Sequence, residues 1–296
     1  MDSNLVTMYA NAKINLALDV VCKRADGYHE LRSIMQTVAL NDRLTIRKLY
    51  TNQIKLNSNV KWLPQDSRNL VYRAAKVLLD EYKPDFGVLI EVDKQIPISA
   101  GLGGGSADAA AALLGVRKLF DLPVSLDRLM EIGLSLGADV PFCILKGTAL
   151  GEGIGEVLTP LSPCPDTHIL IAKPPISIST AEVFRQFDNN KVEHRPDIDK
   201  MIKDIEMGDM KSVGVGLANV LESVTAKEFV VIERLKRIMR INGASGALMS
   251  GSGPSVFGFF ESKAGAQKAM SQIRQDLSIR EVFLTNIFTP RVIKEF

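Results

Sequence analysis

Cysteine is scarce in this chain, and its spacing excludes two common uses of the residue. Cys22, Cys143 and Cys164 stand far apart with no C-x-x-C pair. An odd, sparse set does not make a disulfide framework and fits a reducing compartment. Histidine is as rare. His29, His168 and His194 are scattered, with no H-x-x-x-H pair and no Cys/His cluster, so no structural zinc site is expected. An excess of one charge is also missing. Lys and Arg number 36 against 34 Asp and Glu, a net charge of +2, which leaves no overall field to hold a polyanion. Phosphate binding must then come from a local site. The longest near-apolar runs, such as residues 109–116, fall far short of the ~20 residues of a membrane span. The Met-Asp-Ser-Asn start has no basic region followed by an apolar stretch, so no signal peptide is expected. These absences predict a soluble, cytoplasmic protein that binds neither nucleic acid nor membrane. The expected state is a monomer or weak homodimer.

Apolar content, by contrast, is ample. Hydrophobic residues make up 46% of the 296, enough for one large core or two modest ones, and the length favours about two domains. Residues 12–21 read as a strand, with Ile14, Leu16 and Leu18 alternating with Asn15 and Ala17. Arg24-Ala25-Asp26-Gly27 is turn chemistry. Residues 31–46 are β-rich, with a break expected at Asn41-Asp42. A helix opens at Asp66-Ser67-Arg68 and runs through Leu70, Ala74, Val77 and Leu78, and 88–92 is a short strand. Residues 106–120 form the clearest helix, rich in Ala and Leu with Gly115 its one internal glycine. Ser125 suits the N-cap of another helix that stops at Gly137. Pro160, Pro163 and Pro165 mark a linker, which predicts domains over 1–160 and 161–296. Beyond it, residues 169–172 begin a new unit, in which helical patterns cover 180–187, 197–207 and 227–241 and strand patterns cover 247–250, 256–260 and 281–285. Both element types without strict βαβ alternation predict an α+β fold.

One segment carries chemistry by its composition. Gly101-Leu102-Gly103-Gly104-Gly105-Ser106 lies between a strand and the clearest helix. Glycines let the backbone approach a ligand and point several N–H groups one way. A helix N-terminus adds free donors and partial positive charge. The combination suits a di- or triphosphate; a flexible connector, or a plain N-cap by Ser106, is the alternative. A Walker A loop needs G-K-[S/T], and no Lys follows Gly105. A dinucleotide fingerprint fails because Ser106 stands where its third glycine belongs, and Asp121 falls in a Phe120-Asp121-Leu122-Pro123 turn.

Residues 97–109, Pro-Ile-Ser-Ala-Gly-Leu-Gly-Gly-Gly-Ser-Ala-Asp-Ala, instead resemble the second motif of the GHMP kinases, which include galactokinase, homoserine kinase and mevalonate kinase. Residues 10–18 resemble that family's first motif and residues 245–257 its third, in family order across nearly the whole chain. Residues 24–31, 137–142, 147–153 and 177–184 are similar to the branch that acts on a cytidine-diphosphate-capped methylerythritol. Pro175 departs from that pattern, where glycine is usual.

The resemblance implies a two-domain α+β fold with a ribosomal-protein-S5-like N-terminal domain and a ferredoxin-like C-terminal domain. It implies ATP-dependent phosphorylation of the 2-hydroxyl of that capped alcohol, in non-mevalonate isoprenoid precursor synthesis, with ATP as co-substrate and Mg²⁺. Pro97, Ala100, Gly101, Leu102, Gly103, Gly104, Gly105, Ser106 and Ala107 would wrap the ATP phosphates, with Asn69 and Lys94 on the adenine side. Ser106 is the candidate for holding Mg²⁺. Asp139 would be the base and Lys13 its cationic partner. Asn15, Tyr28, His29, Asp139, Thr180 and Phe184 would bind substrate, Tyr28 and Phe184 stacking on cytosine and His29 reading its edge. Taken alone, Asp139 before Pro141 reads as a helix cap, and Lys13 and Lys94 as surface lysines. A kinase for another small alcohol, a non-catalytic nucleotide-binding relative and an RNA-binding protein are the competing functions. The Tyr28-His29 pair disfavours the first, Lys13 with Asp139 the second, and the near-neutral charge the third.

Overall fold

Two long strands open the chain. β1, Leu5–Lys23, is rich in β-branched and aromatic residues and is buried on both faces over most of 10–20. A tight turn follows, in which Gly27 takes φ +87° and the Asp26 carboxylate accepts from the Tyr28 N–H at 3.0 Å. β2, His29–Leu49, then runs unbroken through Asn41-Asp42. The expected break is absent because Asp42 does not turn back on its own backbone. Its side chain is fully buried, and Oδ1 accepts from the N–H groups of Gln95 at 2.5 Å and Ile96 at 2.8 Å.

The structure is a computed structural model that describes residues 4–190, 192 and 194–290. By contacts the chain divides into two units. The first comprises Met1–Ala12, Leu40–Ile98 and Gly103–Leu145; the second comprises Lys13–Ala39, Ser99–Leu102 and Lys146–Phe296.

The first unit adds β3 (Ile54–Ser58), α1 (Leu70–Tyr82), β4 (Gly87–Asp93), α2 (Gly104–Phe120), α3 (Leu126–Leu136) and α4 (Val140–Leu145). β4 pairs antiparallel with the end of β2, from Arg43↔Asp93 to Leu49↔Gly87, and parallel with β3. Leu44, Ile46, Val88 and Ile90 from these strands pack with Ala74, Leu78, Leu113, Val116 and Ile132 from the helices. α2 lies in the middle of this core, which explains its run of buried alanines. A Cβ on Gly115 would stand 2.3 Å from Ile46 Cδ1 and 2.9 Å from Met8 Cγ, so glycine lets α2 approach the sheet without displacing them. Ser125 caps α3 by accepting from Arg128 N–H, as its sequence position predicts.

The second unit adds β5 (Thr148–Gly153), β6 (Val157–Pro160), β7 (His168–Ala172), α5 (Thr180–Phe187), α6 (Ile198–Glu206), α7 (Met210–Gly216), β8 (Ala218–Asn219), α8 (Glu222–Glu228), α9 (Val230–Ile241), β9 (Ala244–Met249), β10 (Val256–Phe260), α10 (Lys263–Asp276) and β11 (Val282–Asn286). β5 pairs antiparallel with the first half of β2, and β8 parallel with β1. A separate four-stranded sheet runs β11-β7-β10-β9, antiparallel throughout. Leu170, Val256, Phe260 and Val282 on it pack against Ile232, Leu235 and Met239 of α9 and Ala266, Ala269 and Ile273 of α10. The single helix expected over 227–241 is two, broken at Phe229 with φ −117° and ψ 86°. Sequence periodicity also missed α10. Its buried stripe consists of two alanines and one isoleucine, too weak an apolar signal to stand out. Among the described residues no helix is long and apolar enough to cross a membrane.

A buried charge network ties the first unit together. Lys94 Nζ donates to Asp42 Oδ2 and, at 2.6 Å, to Asp108 Oδ2 on α2, with all three side chains nearly excluded from solvent. Burial works against the charge on Lys94, but the two carboxylates outweigh it and hold its pKa above the ordinary lysine value. Burial pushes Asp108 up to about 8 against the pull of Lys94, and Asp42 adds to the rise. Asp108 Oδ1 has no hydrogen-bond partner, which suits a carboxyl that keeps its proton. The folded protein therefore binds this proton more tightly than the unfolded chain does. Stability from Asp108 is complete below the ordinary carboxylate pKa and is lost as pH rises towards about 8. Urea unfolding of Asp108→Asn against wild type across this window should show a flatter pH dependence in the variant. Parallel curves would place the proton elsewhere.

Candidate active site

Segments of all three sequence motifs meet in the second unit. Lys13 N–H donates to the Leu102 carbonyl at 3.0 Å, joining β1 to the glycine loop. Ser255 N–H donates to the Ala100 carbonyl at 3.2 Å, and Ser250 Oγ to the Gly101 carbonyl at 2.9 Å. These last two come from the turn between β9 and β10, which Asn219 holds through Nδ2 bonds to the carbonyls of Met249 and Gly251. The approach is so close that a Cβ on Gly101, at φ +75°, would lie 2.2 Å from the Ser250 carbonyl oxygen. Ser99 also takes a left-handed conformation, φ +51°, a strain that persists only where the surroundings enforce it.

Lys13 is buried, at 6% exposure, so it is not the surface lysine that its strand position alone suggests. Its Nζ donates to Asn15 Oδ1 at 2.9 Å, Asn15 Nδ2 donates to Ser33 Oγ at 2.8 Å, and Ser33 Oγ donates to the Ala17 carbonyl at 2.7 Å. The chain of bonds fixes the ammonium's position. Ser33 was not anticipated, since nothing local distinguishes a serine in a strand.

In the first unit the helix after the loop begins two residues earlier than its pattern suggests. Gly103, at φ +66°, takes the N-cap position of α2 and makes no side-chain cap. Ser106 is therefore not the cap. The first ladder bond is Ala107 N–H to the Gly103 carbonyl at 2.8 Å, so the N–H groups of Gly104, Gly105 and Ser106 precede the helical ladder. A Cβ on Gly104 would press Ile96 Cγ2 at 3.0 Å and stand 3.5 Å from Lys94 Nζ. Lys94 is thus a buried ion-pair residue beside the loop, not a surface lysine. Asn69 caps α1: its Oδ1 accepts from Val71 N–H at 2.9 Å, and its Nδ2 donates to the Pro64 carbonyl at 2.8 Å. Pro97, Ala100, Leu102 and Ala107 are buried, and Gly105 is exposed. Asp139 is half-buried in the corner between α3 and α4, where its carbonyl accepts from Cys143 N–H at 3.1 Å. Ser106 Oγ lies 3.8 Å from where a Gly137 Cβ would be, against that same corner. The buried pairing of Asp42 and Asp108 with Lys94 went unremarked in the sequence, where Asp42 read as a turn former and Asp108 stood only within the loop motif. A lone acid in an alanine-rich helix was the available signal, because a buried charge demands a partner.

The residues proposed to face the base lie in the second unit. His29 stacks on Phe184, with ring centroids 4.9 Å apart and planes at 26°. Tyr28, expected as the other wall against Phe184, is 59% exposed. Asp188, just past α5, lies 2.7 Å from His29 Nε2 through Oδ1 and 2.5 Å from Lys23 Nζ through Oδ2. Those two hydrogen bonds, His29's first, hold its carboxyl below the usual range. Thr180, at the start of α5, shares a hydrogen bond of 2.8 Å with Ser252 of the third motif. Pro175 sits at the centre of a three-residue turn in which Ile176 N–H donates to the Pro174 carbonyl at 2.8 Å. Such a turn takes a central φ close to the one proline fixes, so this departure from the family pattern is accommodated locally.

Comparison with known proteins places this arrangement. The GHMP kinases N-terminal domain matches residues 69–147, and the GHMP kinases C-terminal domain matches residues 201–279. A 4-diphosphocytidyl-2-C-methyl-D-erythritol kinase from Lachnospira eligens is 45% identical over 285 residues, covering 96% of this chain and 99% of the relative. One from Caldicellulosiruptor bescii is 49% identical over 276 residues, covering 93% of this chain and 96% of the relative. A crystal structure of 4-(cytidine 5'-diphospho)-2C-methyl-D-erythritol kinase superposes with a TM-score of 0.82 at 31% identity, covering 96% of this chain and all of that one. A homoserine kinase from Cytophaga hutchinsonii shares the fold, with a TM-score of 0.76 at 18% identity. The chain therefore belongs to the GHMP kinase family and, within it, to the 4-diphosphocytidyl-2-C-methyl-D-erythritol kinases.

Proposed function

We propose that this kinase transfers the γ-phosphoryl group of ATP to the 2-hydroxyl of 4-diphosphocytidyl-2-C-methyl-D-erythritol. Near-full-length identity of 45–49% to relatives of that name carries this reading. The convergence of the three motif segments on the glycine loop supports it. The expected boundary near residue 160 lies in the gap between the family matches, which end at residue 147 and resume at residue 201, whereas the contact division falls between Leu145 and Lys146.

Phosphoryl transfer needs positioning, charge neutralisation and a group to take or orient the hydroxyl proton. Asp139 takes that proton in this reading. Its backbone is fixed at the head of α4, so a bound hydroxyl meets a carboxylate with little freedom to move. Lys13 stabilises the oxygen as it becomes nucleophilic, and the Asn15–Ser33 relay holds it in place. The N–H groups of Gly104, Gly105 and Ser106 are the donors assigned to the phosphates, with Asn69 and Lys94 on the nucleotide side.

Ser106 is the residue that would hold Mg²⁺. Among the described residues no group of three or more His, Cys, Asp or Glu is arranged as a metal site. One hydroxyl fits the need, because Mg²⁺ at such sites keeps several waters and binds substrate phosphates. Bound there, Mg²⁺ would supply charge neutralisation to the phosphates. A kinase acting on another small alcohol has no need of the aromatic and polar cluster at His29, Phe184 and Asp188.

Two measurements test this. Asp139→Asn keeps the shape and the α4 cap but removes the base. Its kcat should fall by roughly 10²–10⁴ with ATP affinity unchanged; near-normal turnover would leave Asp139 a structural residue. Wild type should phosphorylate the cytidine-capped alcohol far better than uncapped methylerythritol phosphate. Equal use of the two would contradict the substrate assignment.

A further inference from the structure

We propose that Asp188 sets the cytidine-over-uridine choice of this enzyme by fixing which nitrogen of His29 carries the proton. The inference rests on His29 facing the base, as in the reading above, and adds the residue that decides what His29 offers to it.

Asp188 Oδ1 lies 2.7 Å from His29 Nε2. Its pKa is held low, so it is a carboxylate and can only accept hydrogen bonds. Nε2 must then be the protonated nitrogen. Lys23 Nζ donates to Asp188 Oδ2 at 2.5 Å, so the cation that balances Asp188 is already present. In the neutral ring with its proton on Nε2, Nδ1 keeps its lone pair. The ring cannot tilt freely, because it is stacked on Phe184 and its side chain is only 9% exposed.

A lone pair on Nδ1 is an acceptor. Cytosine presents an exocyclic amine donor at the position where the uracil-type ring presents a carbonyl acceptor. The amine completes a hydrogen bond with Nδ1. The carbonyl meets it lone pair to lone pair and leaves both groups unsatisfied. Stacking on an aromatic face tolerates any base, so the selection lies with Nδ1, and the state of Nδ1 lies with Asp188. Asp188 makes no contact with the base in this account; it is a positioning residue.

Asp188→Asn offers a sharp test because Lys23 imposes the amide's orientation. Lys23 needs an acceptor, so it takes the amide oxygen and turns the NH₂ towards Nε2. Nε2 then becomes the acceptor and Nδ1 the protonated nitrogen. The full-length enzyme is assayed with the cytidine- and uridine-capped forms of the alcohol, and the His29 tautomer is read by ¹⁵N NMR. In wild type, Nε2 should carry the proton and the cytidine form should be preferred. In Asp188→Asn the proton should move to Nδ1, and the ratio of kcat/KM values should fall by about tenfold or more. The uridine form should gain activity in absolute terms, a gain that general damage to the fold would not produce. Asp188→Ala should lose selectivity without that gain. A wild type that prefers cytidine, with Asp188→Asn keeping both the preference and the Nε2 proton, would overturn the role of Asp188 alone. A wild type that uses both forms equally would overturn the cytidine reading, and this inference with it.

Discussion

The glycine loop is held by backbone passing directly against backbone, and the proposed chemistry depends on that contact. The N–H groups of Ser255 and Lys13 grip the carbonyls of Ala100 and Leu102, and the Ser250 hydroxyl adds a bond to the Gly101 carbonyl. No side chain fits at the crossing, since a Cβ on Gly101 would overlap the Ser250 carbonyl oxygen. With its carbonyls engaged, the loop's residual freedom falls, and the conformational entropy that phosphate binding must otherwise overcome has been removed during folding. The same bonds bring Lys13 of the first motif, residues 99–102 of the loop and the third-motif turn together within the second unit.

Each unit also carries one buried lysine shared between two acids. In the first it is Lys94 between Asp42 and Asp108; in the second it is Lys236 between Glu222 and Glu233, on α8 and α9. Buried ion pairs rarely add much net stability over apolar replacements, while losing one partner is costly. Their positions suggest what is gained instead. Asp42 also binds the N–H groups that lead into the loop, and Glu222 Oε1 accepts the Met249 N–H just ahead of the third-motif turn. Each network fastens the backbone where a functional loop departs from its strand, which favours one loop geometry over near alternatives.

Much of this was legible in the amino-acid order. Strands and helices with dense apolar signals, such as β10 and α5, fall where their periodicity puts them, because burial on one face leaves a pattern. The three motifs read clearly because glycine at set intervals has few other uses. What was not legible depended on partners distant in sequence. Asp42 reads locally as a turn former and is a buried ion-pair residue instead. Lys13 and Lys94 read as surface lysines because Lys13's neighbour Asn15 is fixed by Ser33, 18 residues on, and the acids around Lys94 lie 52 and 14 residues away. Asp188 and Ser33 act through contacts 159 and 18 residues away, beyond any local window. α10 escaped because alanine buries well but signals weakly.

The most direct test of the loop account is the ATP affinity of Gly101→Ala, measured by calorimetry beside Gly27→Ala. Both glycines have positive φ, +75° and +87°, so both variants carry comparable backbone strain. They differ in surroundings: a Cβ at Gly101 meets the Ser250 carbonyl oxygen at 2.2 Å, and one at Gly27 meets nothing within 4 Å. Gly101→Ala should lose about tenfold or more in ATP affinity, as a forced backbone shift of about 1–3 kcal/mol implies, while Gly27→Ala should bind ATP as wild type does. Wild-type ATP affinity in Gly101→Ala would contradict it.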